Sequence, residues 1–245
     1  MSYFTNVPTA PYSFGSQELP VNFQNITAYV EVVDRIKSNL AFYENYYILD
    51  GDRPDQLSSK LYGTTDYYFM FYMMNDHIRE RGWPLSEQRL VEKVKIDYPN
   101  TVLTTTSDMS PNSAGVAFGL PGTTVTGSGT GSVGTVIKRN LDLGQLVIST
   151  NDTFSNTEVI VGTPATTVVI LTGSTKEYQS IAYFKEGSGR RVDIDPYSSP
   201  NVSYTPVTWE DEYRSVNNSL RQIKVPRAAI VSDIANIYYE AMTNV

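Results

Sequence analysis

The chain contains no cysteine and a single histidine, His77. The first absence excludes disulfides, thiolate-bound zinc, iron–sulfur clusters and thiol nucleophiles. The second removes most imidazole-based metal and triad chemistry. No run approaches the roughly 18 apolar residues of a membrane span, and the opening MSYFTNVPTAPYSFG lacks the basic and apolar regions of a signal peptide. A soluble protein made in a cytoplasm, with no membrane partner, is the expectation. Positive charge is also scarce: 19 Lys and Arg stand against 26 Asp and Glu, a net charge of −7 over 245 residues. A general binder of nucleic-acid backbones needs a basic face, so nucleic acid is not an expected partner.

What the chain has in excess is tyrosine, 18 residues against 9 phenylalanines. Residues 101–180 hold one of the 18, Tyr178, and carry instead 26 Ser or Thr and 10 of the 16 Gly. A composition shift on that scale marks a separate module. The predicted organisation is an α+β protein: an extended N-terminal arm over 1–21, a Tyr-rich core domain over 22–99, and a Ser/Thr/Gly-rich β insertion over 100–187. A loop, an extended segment and a C-terminal helix over 188–245 then return to the core domain. Tyr46, Tyr62 and Tyr72 are expected inside that core.

Local signals fill in the elements. The arm has no period. Ile26–Ile36 alternates in polarity as a half-exposed strand does, with a short helix as the alternative, and YYIL at 46–49 reads as a short apolar strand. Asp52, Pro54 and Gly63 bracket a helix with Leu57 and Leu61 on its buried stripe. Asp66 is placed to cap YYFMFYMMN, a helix apolar all round and so enclosed on several sides. Ser86 starts a third helix, with Leu85 and Leu90 as its staple. In the insertion, the runs 133–137, 143–149, 157–161, 166–171 and 177–184 are β-branched and separated by turn residues, which suggests a small barrel or sandwich. Residues 188–207 read as a Pro-punctuated loop and 218–225 as extended. A terminal helix over 232–242 would bury Ile230, Ile234, Ile237 and Ala241.

Candidate chemistry is thin. Gly129, Gly131 and Gly134 satisfy G-x-G-x-x-G, but β-branched residues follow where a dinucleotide site needs a helix, so a hairpin loop is expected. Asp50, Asp52 and Asp55 crowd one turn, with a glycine too early for a calcium loop and Leu61 at its twelfth position. The pairs and clusters Asp193 with Asp195, and Glu210 with Asp211 and Glu212, read as solvated turn residues. His77 has no visible partner for catalysis. No catalytic residue, cofactor site or metal site is predicted, and the chain is not expected to be an enzyme. Tyr and Trp are favoured at protein interfaces because they bury a large rigid area and keep a polar tip. Tyr67, Tyr68, Trp83, Arg190, Arg191 and Arg221 are the candidate partner contacts.

The stretch YYILDGDRPDQLSSKLYGTTDYYFMFYMMN resembles a LysM repeat: an aromatic-led strand with Tyr47, Gly51-Asp52, the paired Leu57 and Leu61, Tyr62-Gly63, a second helix and a closing Asn75. Extended by WPLS and, far downstream, by LRQIKV before a terminal helix, the string is similar to the small LysM-like wedge subunit of T-even-like contractile phage baseplates. The match covers about residues 22–99 and 210–243 and leaves out the insertion. The resemblance implies a LysM-like strand–helix–helix core carrying an inserted small all-β barrel or sandwich domain. It implies a virion protein of the tail baseplate, assembled in the host bacterial cytoplasm, that joins other baseplate wedge proteins and the sheath-initiating region in a multi-copy symmetric assembly. The alternative is a LysM-type peptidoglycan-binding module of a cell-wall-associated or phage lysis protein. That alternative is weakened because HIRERGWPLSEQRL leads into another helix where a glycan-binding LysM closes with a strand.

Overall fold

The computed structural model describes residues 9–13, 15, 19–24, 43–111, 117–162, 168–192, 194 and 204–243. Six α-helices and fourteen strands lie among them, so the protein mixes helix and sheet. The chain divides into two units, Met1–Glu87 with Val216–Val245, and Gln88–Ser215. The predicted strand 26–36 and the pair Asp193 and Asp195 fall outside the described residues.

In the first unit, helix α1 (Pro54–Tyr62) has Pro54 at its first position, where a missing N–H costs nothing. It ends at Gly63, whose φ of 74° is left-handed and whose N–H reaches the Ser59 carbonyl at 2.9 Å. Asp52 does not cap it. Arg53 holds the N-cap position without a side-chain bond, and the Asp52 carboxylate accepts instead from the Leu49 N–H at 3.3 Å. Asp66 likewise bonds the Thr64 hydroxyl, while α2 (Phe69–Met74) starts from an uncapped Tyr68. In both places a short carboxylate has taken the nearest donor two or three residues away, the usual competitor of a helix cap.

Helix α2 is apolar all round because it sits between two clusters. Phe71 packs with Ile48, Leu57, Ile223 and Val225, whereas Phe69, Met70 and Met73 pack with Val231, Ile234 and Tyr238. Those last three lie on α6 (Val231–Thr243), whose buried stripe also takes in Ala235. The stripe predicted through Ile237 is therefore rotated: Tyr238 is buried and Ile237 is 44% exposed. A ring in the core removes more area from water than an isoleucine would, so Tyr238 sets the helix face.

Strand β3 (Tyr43–Tyr47) begins three residues before the predicted 46–49 run and pairs antiparallel with β14 (Gln222–Pro226), Tyr46 opposite Ile223. The first unit thus contains the order β3, α1, α2 and, after a long excursion, β14. The short α3 (Asp76–Arg81) follows Asn75 directly. The predicted structureless arm contains a ribbon instead: β1 (Thr9–Tyr12) pairs with β2 (Val21–Gln24). Its register puts Ala10, Tyr12, Val21 and Phe23 on one face and Thr9, Pro11 and Asn22 on the other. The alternation is too brief to show as a period in the sequence.

Helix α4 (Glu87–Asp97) starts directly after Ser86. In the second unit, Tyr98 stacks on Trp209 with ring centroids 4.4 Å apart. The strands β4 (Thr101–Thr104), β5 (Thr124–Gly127), β6 (Val133–Asn140), β7 (Gln145–Ser149), β8 (Val159–Val161), β9 (Val168–Ile170) and β10 (Gly173–Lys176) form one antiparallel sheet. Its order is β10-β4-β7-β6-β5-β8-β9. The two strands at the ends of that order are joined by Leu171 and Thr172 alone. A flat sheet would hold them about 29 Å apart, and the linker reaches about 11 Å, so the sheet must curl. It curls round Leu103, Val125, Val136, Leu146, Ile148 and Ile160, all buried in one cluster. The glycine-rich stretch is the β5–β6 turn: Gly131 has a left-handed φ of 72°, and Gly134 lies within β6.

A second antiparallel sheet joins β11 (Ile181–Lys185), β12 (Arg191–Val192) and β13 (Thr205–Thr208), so the predicted 188–207 loop contains two strands. Glu210, Asp211 and Glu212 are not in a turn. They form the first turn of helix α5 (Trp209–Ser219), where the helix dipole favours acids. Thr208 accepts from the Asp211 N–H at 3.1 Å, and the Asp211 carboxylate accepts from the Thr208 N–H at 3.1 Å. That reciprocal pair is a capping box, legible as T-x-x-D in the sequence. Thr208→Ala is expected to cost about 1 kcal/mol; an unchanged urea midpoint would show that the box contributes nothing.

Candidate functional site

One buried polar constellation of the first unit lies where α2, the turns around it and β14 meet. Asn75, 4% exposed, donates from Nδ2 to the Phe71 carbonyl at 2.8 Å and to the Lys224 carbonyl at 2.7 Å. Its Oδ1 accepts from the Lys224 N–H at 2.7 Å. One amide therefore ends α2 and occupies the outer edge of β14 as a neighbouring strand would. The pairing explains why Lys224 is available. The Ile48 N–H bonds to the Arg221 carbonyl at 2.8 Å, so Ile223 and Val225 face β3, and the backbone of Gln222 and Lys224 faces away.

A second knot surrounds Arg221, 7% exposed. Its guanidinium donates to the Ile48 carbonyl at 3.2 Å, the Asp50 carboxylate at 2.8 Å and the Leu85 carbonyl at 3.2 Å. Asp50 also accepts from the Glu87 N–H at 3.0 Å, so the start of α4 is served by a carboxylate from the β3–α1 turn. The Arg221 hydrogen bond, partly offset by burial, holds the Asp50 carboxyl below its usual range. Asn217 exchanges two hydrogen bonds with the Leu85 backbone, at 2.7 and 2.9 Å. The Trp83 indole donates to the Asp52 carbonyl at 2.7 Å. Two segments distant in sequence, 83–87 and 217–221, are thereby pinned to one turn.

Beside the Asn75 lock opens a cleft of about 530 Å³ lined by Asn45, Asn75, Asp76, His77, Gln222 and Lys224. Buried His77 Nε2 has no hydrogen-bond partner among the described residues. The cleft offers amides, one carboxylate, one ammonium and one imidazole, a set suited to hydrogen-bonding a polar ligand or an extended backbone. Among the described residues, no group of three or more His, Asp or Glu is gathered as metal ligands require, and no helix is long and apolar enough to cross a membrane.

The six candidate contacts fall in both units. Tyr67 and Tyr68 pack partly buried against the α2–α6 cluster, and Trp83 packs against the cluster around Phe71. Arg221 is an internal strut; desolvating a guanidinium is tolerable only with the acceptors it has collected here. Arg190 and Arg191 belong to the second unit. Arg190 pairs with Glu186 at 2.7 Å, and Arg191 lies over the Tyr183 ring, 4.8 Å from its centroid. The pairings of Asp50 with Arg221 and of Asn217 with Leu85 carried no signal that sequence could reveal, since each joins residues more than a hundred positions apart. No protein-family model matches the chain, and no curated protein is similar to it.

Proposed function

We propose that this chain is a structural component of a phage tail baseplate wedge, in which a LysM-like core carries an inserted barrel-like β domain. It joins neighbouring wedge proteins and the sheath-initiating region by protein–protein contacts within the virion. The observation that supports this most is the β3–α1–α2–β14 arrangement with Asn75 bonded to β14. The strand–helix–helix order supports the resemblance, and β14 adds a strand from beyond the insertion that the resemblance did not assign.

The closing strand also bears on the second reading, a peptidoglycan-binding module, because β14 supplies what the sequence after Asn75 lacked. Two measurements separate them. Co-expression with neighbouring wedge subunits is expected to give a stable complex; a chain that stays monomeric beside them counts against the baseplate. A cell-wall pull-down is expected to retain nothing. Retention lost on mutating Tyr47 or Tyr67 would establish the glycan reading instead.

A further inference from the structure

The second unit contains a cavity of about 160 Å³ between its two sheets, lined by Lys138, Asn140, Asp142, Tyr183, Arg191 and Trp209 among others. Two β-bulges border it. One falls between Val136 and Lys138 in β6, and the other between Ile181 and Tyr183 in β11. Bulges re-aim side chains, and they concentrate beside functional sites. In β6 the consequence is visible. Val136 is buried, and regular alternation would turn Lys138 inward as well, yet both Ile137 and Lys138 are exposed. In β11 the bulged strand is tied to the larger sheet by the Gln145 amide, which donates to the Ile181 carbonyl at 2.9 Å.

The walls are held in place from outside. Tyr183 donates its hydroxyl to the Glu212 carboxylate, and Trp209 stacks on Tyr98. Arg191 lies over the Tyr183 ring. A guanidinium resting on a ring presents its edge N–H groups, the fork that takes a carboxylate bidentately. Neither Lys138 nor Arg191 is in an ion pair with a described residue. Among the described lining residues, Lys138 and Arg191 against Asp142 leave an excess of one positive charge, within a chain of net charge −7.

We propose that this cavity is a socket for a single acidic side chain of a partner protein, with Arg191 forking the carboxylate and Lys138 supplying the second positive charge. Size and charge select the ligand. The volume lies below the roughly 300 Å³ at which small-molecule pockets begin, and it suits one side chain. Arg191 already covers a face of Tyr183, which disfavours stacking of a sugar or base there. Asp142 penalises a second negative charge and so favours a carboxylate over a phosphate dianion. The socket stands independently of the baseplate reading, since it rests on the second unit alone.

The test titrates the full chain, labelled at its two tryptophan indoles, with the capped peptide acetyl-Gly-Glu-Gly-amide, its Gln counterpart, and inorganic phosphate. The Glu peptide is expected to shift the Trp209 indole signal saturably and the Gln peptide to leave it in place. Lys138→Met with Arg191→Gln should weaken binding by at least about tenfold, the size of one charge-assisted pair. Arg191→Lys should fall between wild type and the double variant, because it keeps the charge and loses the fork. Equal shifts from the Glu and Gln peptides, or an undiminished shift in the double variant, would overturn the proposal. So would saturation by phosphate with no response to the Glu peptide.

Discussion

Asn75→Ala is expected to destabilise the first unit by about 2–4 kcal/mol, the cost of stranding buried backbone groups at about 1–3 kcal/mol each. The alanine removes the partner of the Lys224 N–H and of its carbonyl, and also a bond to the Phe71 carbonyl. The effect should be confined. Each unit has one tryptophan, Trp83 in the first and Trp209 in the second. In a Trp209→Phe background, urea unfolding followed by Trp83 fluorescence should show the loss. In a Trp83→Phe background, the Trp209 transition should stay put. A Trp83 transition unmoved by Asn75→Ala would mean that the lock is an ornament of a strand held by other contacts.

Glu158→Gln should do comparable damage to the second unit, about 2–4 kcal/mol, because it turns an acceptor into a donor facing donors. Glu158 is 7% exposed. Its carboxylate accepts from the Thr130 N–H at 3.0 Å, the Gly129 N–H at 3.2 Å and the Ser155 N–H at 2.7 Å, and from the Thr130 hydroxyl at 2.9 Å. It therefore holds the β5–β6 turn against the approach to β8. Burial raises its pKa, but the N–H groups of Thr130 and Ser155, the Thr130 hydroxyl and the Gly129 N–H outweigh burial and bring it below its usual value. The direction fixes the pH dependence. A folded pKa below the unfolded one means that the stabilisation is fully present above the unfolded carboxylate range and fades as pH falls through the folded value. Acid titration of the Trp209 signal should accordingly show a loss of stability below the ordinary glutamate range in wild type. The Gln variant should lack that component. If both proteins lose stability in parallel, the carboxylate is not the group responsible.

Where the fold was legible, short-range chemistry decided it. Pro54, Gly63 and the Leu57–Leu61 pair mark α1 because each acts within one turn, and the structure places the helix there. The ring of apolar residues in α2 announced enclosure, although only packing showed that two separate clusters enclose it. Caps were misassigned at Asp52 and Asp66 because each side chain had a nearer donor, and proximity between such options is a matter of tenths of an ångström. Helix α5 was missed despite its capping box, since an acidic run was read as solvated rather than as the N-terminal turn that a helix dipole favours. Strands β4, β5 and β10 escaped notice for a different reason. They are four-residue segments rich in Thr, Ser and Gly, and their extended form is imposed by partners such as Thr101 with Lys176.

The candidate site divides the same way. Asn75 stood out in sequence because the resemblance assigns a closing asparagine there, and the structure gives that amide its bonds. Arg221 looked like a surface contact. Its burial depends on Asp50, Ile48 and Leu85 arriving together, which no local pattern encodes. Lys138 carried no signal at all, because a bulge changes the face of a strand residue without changing the residue.

The sequence by itself determined that thiol chemistry is impossible, that helix and sheet are mixed, and that the middle of the chain differs in kind from its flanks. These follow from composition and from interactions within a turn or two. Tertiary structure decided which strand closes on β3, which polar side chains are struts and which remain presented, and where two bulges leave a positively lined cavity. Each of those depends on pairing across a hundred residues or more, or on the register of one sheet against another, and long-range register is what a one-dimensional pattern does not carry.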